Sequence, residues 1–484
     1  MQKSIMIRST LVTIFVFLLI WPLALNRTAI LYPDTGRYLM NGLNLWHAID
    51  ARHTGVRSTS LAGNTAGAIG ASQGGPTSVA KPKVTLGGRS PYYGAFAWGA
   101  RAFGGLGTIT IAQALWLALV LVVALPEFGL RRPHTQIVTV AAISMISPLA
   151  FFIDVIMPDV FIGVVVVAVF VLWYRWPRTW MPRLWWLFNI LAAVLFHTSA
   201  LLLAVLLLAC LALAEHRSWQ NRRHQAISIF SALAIGLCGS VAMDLAIKHA
   251  TGRAVTPIPY LLARTIGDGT AARVLREDCP ARGYATCRFV NQFPLTENEF
   301  LWGRPGLVGW NQIDPSSETA IVREQWPIVF AALTRYPGQQ LSRSAHNLVW
   351  MFFTLDVDEF GYSIKLDHSL DNKLFDAQRI EAESGRIYSQ HLTLRLLSVI
   401  WHITYIVAVS FVIVALLFRR RLRISRLTLQ VASTMLLALV LSAAIQGVLG
   451  GVWGRYTARI AWLAILAAIV IAVDILRGRT RSLS

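Results

Sequence analysis

Apolar runs long enough to cross a lipid bilayer constrain this chain more than any other feature. The hydrocarbon core is about 30 Å thick, and a helix needs roughly 20 apolar residues to span it. Such runs recur at 11–25, 106–125, 137–153, 160–174, 184–214, 226–247, 394–418, 427–447 and 460–476. Only 14% of the 484 residues are charged, against about 25% in a soluble domain. The expected fold class is an all-α polytopic membrane protein with about ten transmembrane helices. The first run follows Lys3 and Arg8 and has no small-x-small cleavage site close behind it, so it reads as a retained helix.

The run at 184–214 is too long for one upright span and short for two. Both its flanks are basic, Arg183 before and Arg217, Arg222 and Arg223 after. It therefore reads as a short hairpin turning near His197-Thr198-Ser199. A single span would invert everything downstream. It would put Cys279 and Cys287 on the reducing side and Arg419-Arg420-Arg421-Leu422-Arg423 outside, against both the redox and the positive-inside rules.

Three parts follow. Residues 1–246 form an N-terminal transmembrane module whose long first loop carries amphipathic surface helices, at 34–49 and 89–103, around a flexible Gly/Ser/Thr/Ala-rich insert at 55–89. Residues 247–392 form a mixed external domain between the seventh and eighth helices, and 393–484 the C-terminal helices. Of the four cysteines, Cys210 and Cys238 fall in apolar runs, while Cys279 and Cys287 suit a disulfide in an oxidising compartment. No histidines neighbour them at metal-ligand spacing.

The net charge of +20 does not argue for nucleic acid. Much of it sits in short clusters at helix ends, and the natural partners are the lipid bilayer and phosphate-bearing substrates.

Four polar groups from distant parts of the chain converge at the outer face of this topology: Asp34, Asp159, His197, and Arg455 with Arg459. A carboxylate can take a proton from an attacking hydroxyl, and guanidinium groups match phosphate oxygens. Each has a plainer reading. Asp34 and Asp159 suit helix starts, His197 a core or turn histidine, and the arginines lipid headgroup contacts. Asp356, Asp358 and Glu359 form an acidic knot open to a divalent cation or merely solvated. Trp302, Trp310, Trp326 and Trp350 suit sugar stacking, core packing or the membrane interface.

The order of short motifs resembles the C-type membrane glycosyltransferases, which use polyprenyl-phosphate-linked sugars outside the cytoplasmic membrane. An acid follows the first helix, Asp34 in Tyr32-Pro33-Asp34-Thr35-Gly36-Arg37-Tyr38. Surface helices and an Arg-x-Pro-Tyr-Tyr segment, Arg89 to Tyr93, come next. A second acid, Asp159, lies in the turn between the third and fourth helices. A hairpin apex bears His197 where relatives often have lysine, and Arg455-Tyr456 opens the last helix. The resemblance covers mainly residues 1–215 and 450–459. It implies a glycosyltransferase in a bacterial inner membrane with its active site facing the periplasm. It implies catalytic residues Asp34 and Asp159, with Asp34 as base. The substrate would be bound by Tyr38, Arg89, Tyr93, His197, Arg455, Tyr456 and Arg459. The donor would be a polyprenyl-phosphate-linked sugar and the acceptor a glycan or lipid hydroxyl. No cofactor is fixed, and a divalent cation stays open. Two rival readings remain: a polymerase or ligase of lipid-linked glycans, and a non-catalytic transporter or scaffold.

Overall fold

The structure is a computed structural model that describes residues 2–54, 89–251, 255–361, 385–386 and 391–482. Most of the insert expected to be flexible therefore lies outside the described residues. Among those residues there is no strand, only two isolated bridges, Ile30 with Val155 and Arg304 with Leu307.

The N-terminal module contains α1 (Gln2–Leu19), α2 (Trp21–Asn26), α3 (Thr35–Thr54), α4 (Pro91–Arg101), α5 (Leu106–Glu127), α6 (Pro133–Met145), α7 (Leu149–Asp154), α8 (Val160–Phe170), α9 (Trp180–Phe196), α10 (Thr198–Ala214) and α11 (Trp219–Thr251). The outer part contains α12 (Tyr260–Gly267), α13 (Thr270–Arg282), α14 (Glu297–Trp302), α15 (Pro315–Arg335) and α16 (Pro337–Phe353). The C-terminal part contains α17 (His391–Leu417), α18 (Arg426–Ala444), the short α19 (Gly454–Ala458) and α20 (Trp462–Ser482).

Among the described residues, five segments are long and apolar enough to cross a membrane: Leu106–Glu127, His216–His249, Thr393–Leu417, Arg426–Leu449 and Gly454–Gly478. Met6–Leu19, Val160–Arg175, Trp180–Phe196 and Thr198–Ala214 are shorter apolar helices. The multi-pass helical class is thus present, with five helices of spanning length where about ten were expected. Two of the expected helices are broken. The run at 11–25 divides between α1 and α2, where Pro22 cannot donate to the preceding turn. The run at 137–153 stops at Met145 and resumes at Leu149, after Pro148. The hairpin at 184–214 forms as α9 and α10, turning at His197.

The break before α7 sets the environment of Asp154. It is wholly buried and accepts a hydrogen bond from Thr110 Oγ1 at 3.2 Å. Its backbone carbonyl also receives the Ile30 N–H at 3.1 Å, and the Ile156 N–H reaches the Ile30 carbonyl at 3.0 Å. Thr35 Oγ1 donates to the Ile156 carbonyl at 3.1 Å. This small bridge ties the first loop to the turn between α7 and α8, so two acidic segments far apart in sequence share one place.

The surface helices α3 and α4 meet backbone to backbone: a Cβ on Gly42 would lie 2.1 Å from the Gly94 carbonyl oxygen. Ser90 caps α4, its hydroxyl accepting from the Tyr92 and Tyr93 N–H groups, and Pro91 occupies the first helical turn where no donor is needed. The same hydroxyl donates to the Leu195 carbonyl at 2.5 Å, fastening α4 to the hairpin.

The outer part has its own core, including Leu262, Ile266, Leu275, Phe289, Phe300, Trp310, Ile321 and Ile328. Cys279 and Cys287 form a disulfide there. Arg264 pairs with Asp268 at 2.8 Å and with Glu297 at 3.2 Å. Glu297 also accepts from the Val452 N–H at 3.4 Å, linking this part to the segment that leads into α19.

Candidate functional site

Asp159 stands immediately before α8, yet its carboxylate makes no capping bond to that helix. It turns instead to Arg459, whose Nη1 donates to Oδ1 at 2.9 Å. Both side chains are almost completely buried, at 1% and 2% exposure. The helix-dipole reading of Asp159 therefore gives way to a buried ion pair across 300 residues of sequence.

Arg459 also holds the hairpin apex. Its Nη1 lies 3.2 Å from His197 Nε2, and its Nη2 donates to Ser199 Oγ at 3.3 Å. Nδ1 accepts the Ser199 N–H at 3.2 Å, capping α10, and lies 2.9 Å from Ser199 Oγ. Loss of solvation at the apex, then the Arg459 charge, lower the imidazole from 6.5 to about 3, with Asp159 opposing. His197 is thus neutral at physiological pH and acts as an acceptor and spacer. For Asp159, burial alone would raise the carboxyl, but the charges of Arg459 and Arg455 bring it below its ordinary value.

Arg455 lies one helical turn earlier and enters a second set of contacts. Its Nε sits 3.3 Å from Glu359 Oε1. Its guanidinium covers the Tyr32 ring at 4.5 Å and the Tyr456 ring at 4.9 Å. Tyr456 lies between the two arginines, with Arg459 4.8 Å from its ring centre and Arg455 Nη2 donating to its hydroxyl at 3.2 Å. Tyr32 donates to Glu359 Oε2 at 3.1 Å. Burial pushes the Glu359 carboxyl above its ordinary value, against the opposing pull of Arg455 and the Tyr32 hydroxyl.

Asp34 pairs with Arg89, 55 residues later in the chain, and both are partly buried. Tyr32, two residues before Asp34, lies under the Arg455 guanidinium at 4.5 Å, which brings the first loop up to the two-arginine cluster. Tyr38 and Tyr93 lie beneath Asp34 as an edge-to-face pair 5.1 Å apart. Both are buried, and the Tyr93 hydroxyl donates to Gln113 at 3.1 Å, so these two rings support the floor.

The acidic knot does not hold together. Glu359 turns to Arg455, Asp358 lies 3.7 Å from Arg395, and Asp356 accepts the Asp358 N–H at 2.7 Å. No group of three acidic, histidine or cysteine residues among the described residues is arranged to hold a metal. Of the tryptophans, Trp310 is buried and donates to the Glu318 carbonyl at 3.3 Å, while Trp326 and Trp350 are exposed.

Sequence reasoning missed four participants: Tyr32, Ser199, Tyr260 and Glu359. Tyr32 and Ser199 adjoin residues that were singled out, and Glu359 was read only as part of the acidic knot. Tyr260 opens α12 and comes within hydrogen-bond reach of Arg89, so the outer part closes over the first loop. Nothing in its local sequence marks it.

Several polar atoms in this cluster are buried without a hydrogen-bond partner among the described residues: Asp159 Oδ2, Glu359 Oε1, Arg459 Nε, and Arg455 Nε and Nη1. Glu359 Oε1 and Arg455 Nε face each other as an ion pair at 3.3 Å. An unmade buried hydrogen bond costs about 1–3 kcal/mol, more for a charged group. The remaining guanidinium donors, Arg459 Nε and Arg455 Nη1, suit an anion. The chain matches no protein-family model, and no curated protein or solved structure shows a significant match to it.

Proposed function

We propose that the protein is a membrane glycosyltransferase that moves a sugar from a polyprenyl-phosphate donor to an acceptor hydroxyl. The observation that carries this reading is the gathering of Asp34, Asp159, Arg455 and Arg459 with unpartnered guanidinium donors at one end of the helices. The apolar helix Val160–Arg175 runs from this cluster, and the last spanning segment runs from Gly454 to Gly478. The far end is basic, with Arg175 paired to Glu127 at 2.9 Å and Arg477 donating to the Gly129 carbonyl at 2.8 Å. The positive-inside rule puts that end in the cytosol and the cluster outside. In this reading the membrane is a bacterial inner membrane and the cluster faces the periplasm.

The two carboxylates differ in access. Asp159 is sealed against Arg459, so its task is to hold that guanidinium in place. Asp34 is the more accessible, with 16% of its side chain exposed. The acceptor hydroxyl gives its proton to Asp34 while its oxygen bonds to the anomeric carbon. The bond from that carbon to the phosphate oxygen breaks with its electron pair on the leaving lipid phosphate. Arg455 stabilises the charge that builds there, and Tyr456 and Arg459 fix its position. Because no acid protonates a phosphate leaving group, one base and a cationic seat suffice. A single displacement inverts the anomeric centre.

The test is transfer of radiolabelled sugar from polyprenyl-phosphate donors by the purified protein in lipid nanodiscs. Asp34→Asn removes the base and is expected to lower transfer by about 10²–10⁴-fold without changing the melting curve much. Full activity in that variant would remove Asp34 from the chemistry.

A further inference from the structure

α16 buries polar residues and exposes apolar ones along much of its length. Its buried side carries Gln340 and Asn347, which donate to the two oxygens of buried Asp268 at 2.8 and 2.9 Å, with Met351 and Phe352 buried near its C-terminus. Its open side carries Leu341, Ala345, Val349, Trp350 and Phe353, beside exposed Ser342, Arg343 and His346. A helix of a water-soluble domain turns its apolar stripe inward and its polar residues outward. The preceding helix repeats the pattern, with Trp326, Phe330 and Leu333 exposed at the i, i+4, i+7 spacing of a single stripe. α15 and α16 are joined through Tyr336 alone.

The C-terminal end of α16 is braced by the spanning helices. A Cβ on Gly447, at the end of the Arg426–Leu449 segment, would lie 2.7 Å from the Asn347 carbonyl oxygen. Thr457 donates to the Met351 carbonyl at 2.6 Å and Tyr405 to the Phe352 carbonyl at 2.9 Å. These contacts come from three of the segments long enough to cross a membrane, so this end of α16 lies at their level. The neighbouring spanning helix α17 continues the apolar surface with Leu396, Val399, Ile400 and Ile403 exposed.

We propose that α16 and the C-terminal half of α15 lie in the membrane interface, their open faces against lipid. These two helices are then held to the bilayer instead of standing clear of it. The aromatic residues Trp326, Phe330, Trp350 and Phe353 have the amphipathic or apolar character that the interface favours. The strap that carries Glu359 to Arg455 leaves directly from the end of this helix.

Spin labelling tests this with little risk to folding, since the chosen positions are exposed and small. In a Cys210→Ala/Cys238→Ala background that keeps the disulfide, nitroxides are placed at Ala345→Cys and Val349→Cys. Ser316→Cys, exposed at the polar start of α15, is the control. The protein is measured in nanodiscs of phosphatidylethanolamine and phosphatidylglycerol, with oxygen and a nickel chelate as collision partners. Oxygen is expected to dominate at 345 and 349 and the nickel chelate at 316. Nickel-dominated collisions at 345 or 349, matching those at 316, would place α16 in water and overturn the proposal.

Discussion

Arg459 and Asp159 are both removed from water, so neither can be deleted alone without leaving a buried charge unmatched. Arg459→Met or Asp159→Leu is expected to destabilise the protein by about 3–5 kcal/mol, whereas the double variant recovers most of that loss. Thermal melting of the two single variants and the double variant in one detergent measures it; additive losses would mean that the pair is not coupled. The double variant should remain inactive, because Arg455 loses its companion. His197 makes a second prediction at this scale. Its folded value, about 3, lies below the 6.5 of the unfolded chain. Its contribution to stability is therefore complete above about pH 6.5 and is lost as pH falls towards 3. Wild type should lose more melting temperature between pH 7.5 and pH 5 than His197→Asn does; equal losses would refute the assignment. At this scale the sequence named Asp34, Asp159, His197 and both arginines, since charged groups beside apolar runs stand out. It did not show that Glu359 belongs to Arg455, because ninety-odd residues and a helix pair separate them.

The contact of α3 with α4 depends on two glycines facing each other without side chains. Gly94→Val would bring a Cβ within 2.2 Å of the Tyr38 carbonyl oxygen and force the surface helices apart. A loss of about 1–3 kcal/mol is expected from such overpacking, with transfer activity falling because Arg89 and Asp34 lie on the separated pieces. Unchanged melting and activity would show that the helices part without consequence. The amphipathic spacing of Tyr38, Leu39, Leu43, Leu45, Trp46 and Ile49 made α3 legible, and the amphipathic segment from Arg89 to Phe103 contains α4. The proline breaks at Pro22 and Pro148 were harder to read, because an apolar run looks continuous whether or not its backbone is. The second break matters for the site. It buries Asp154 and frees the strand-like residues that pair with Ile30.

Across the whole molecule, hydropathy gave the all-α membrane class and the helical hairpin; five of the expected spans reach crossing length among the described residues, and α9 and α10 are shorter apolar helices. The outer part carries one covalent constraint, and cutting it tests whether that part folds with the rest. Cys279→Ser with Cys287→Ser opens a short loop and is expected to cost about 2–3 kcal/mol. Limited proteolysis should then cleave α13 and the following turn first, while the spanning helices persist. Simultaneous loss of both would show a single cooperative unit.

The gathering of two acids and two arginines into one anion seat on the face opposite the basic helix ends is most directly tested by cryo-electron microscopy. The protein would be imaged in nanodiscs with a polyprenyl phosphate bound. Phosphate density beside Arg455, on the same side as Asp34 and away from Arg175 and Arg477, is expected. Phosphate density at the basic end, or Asp34 and Arg455 held on opposite faces of the membrane, would contradict it.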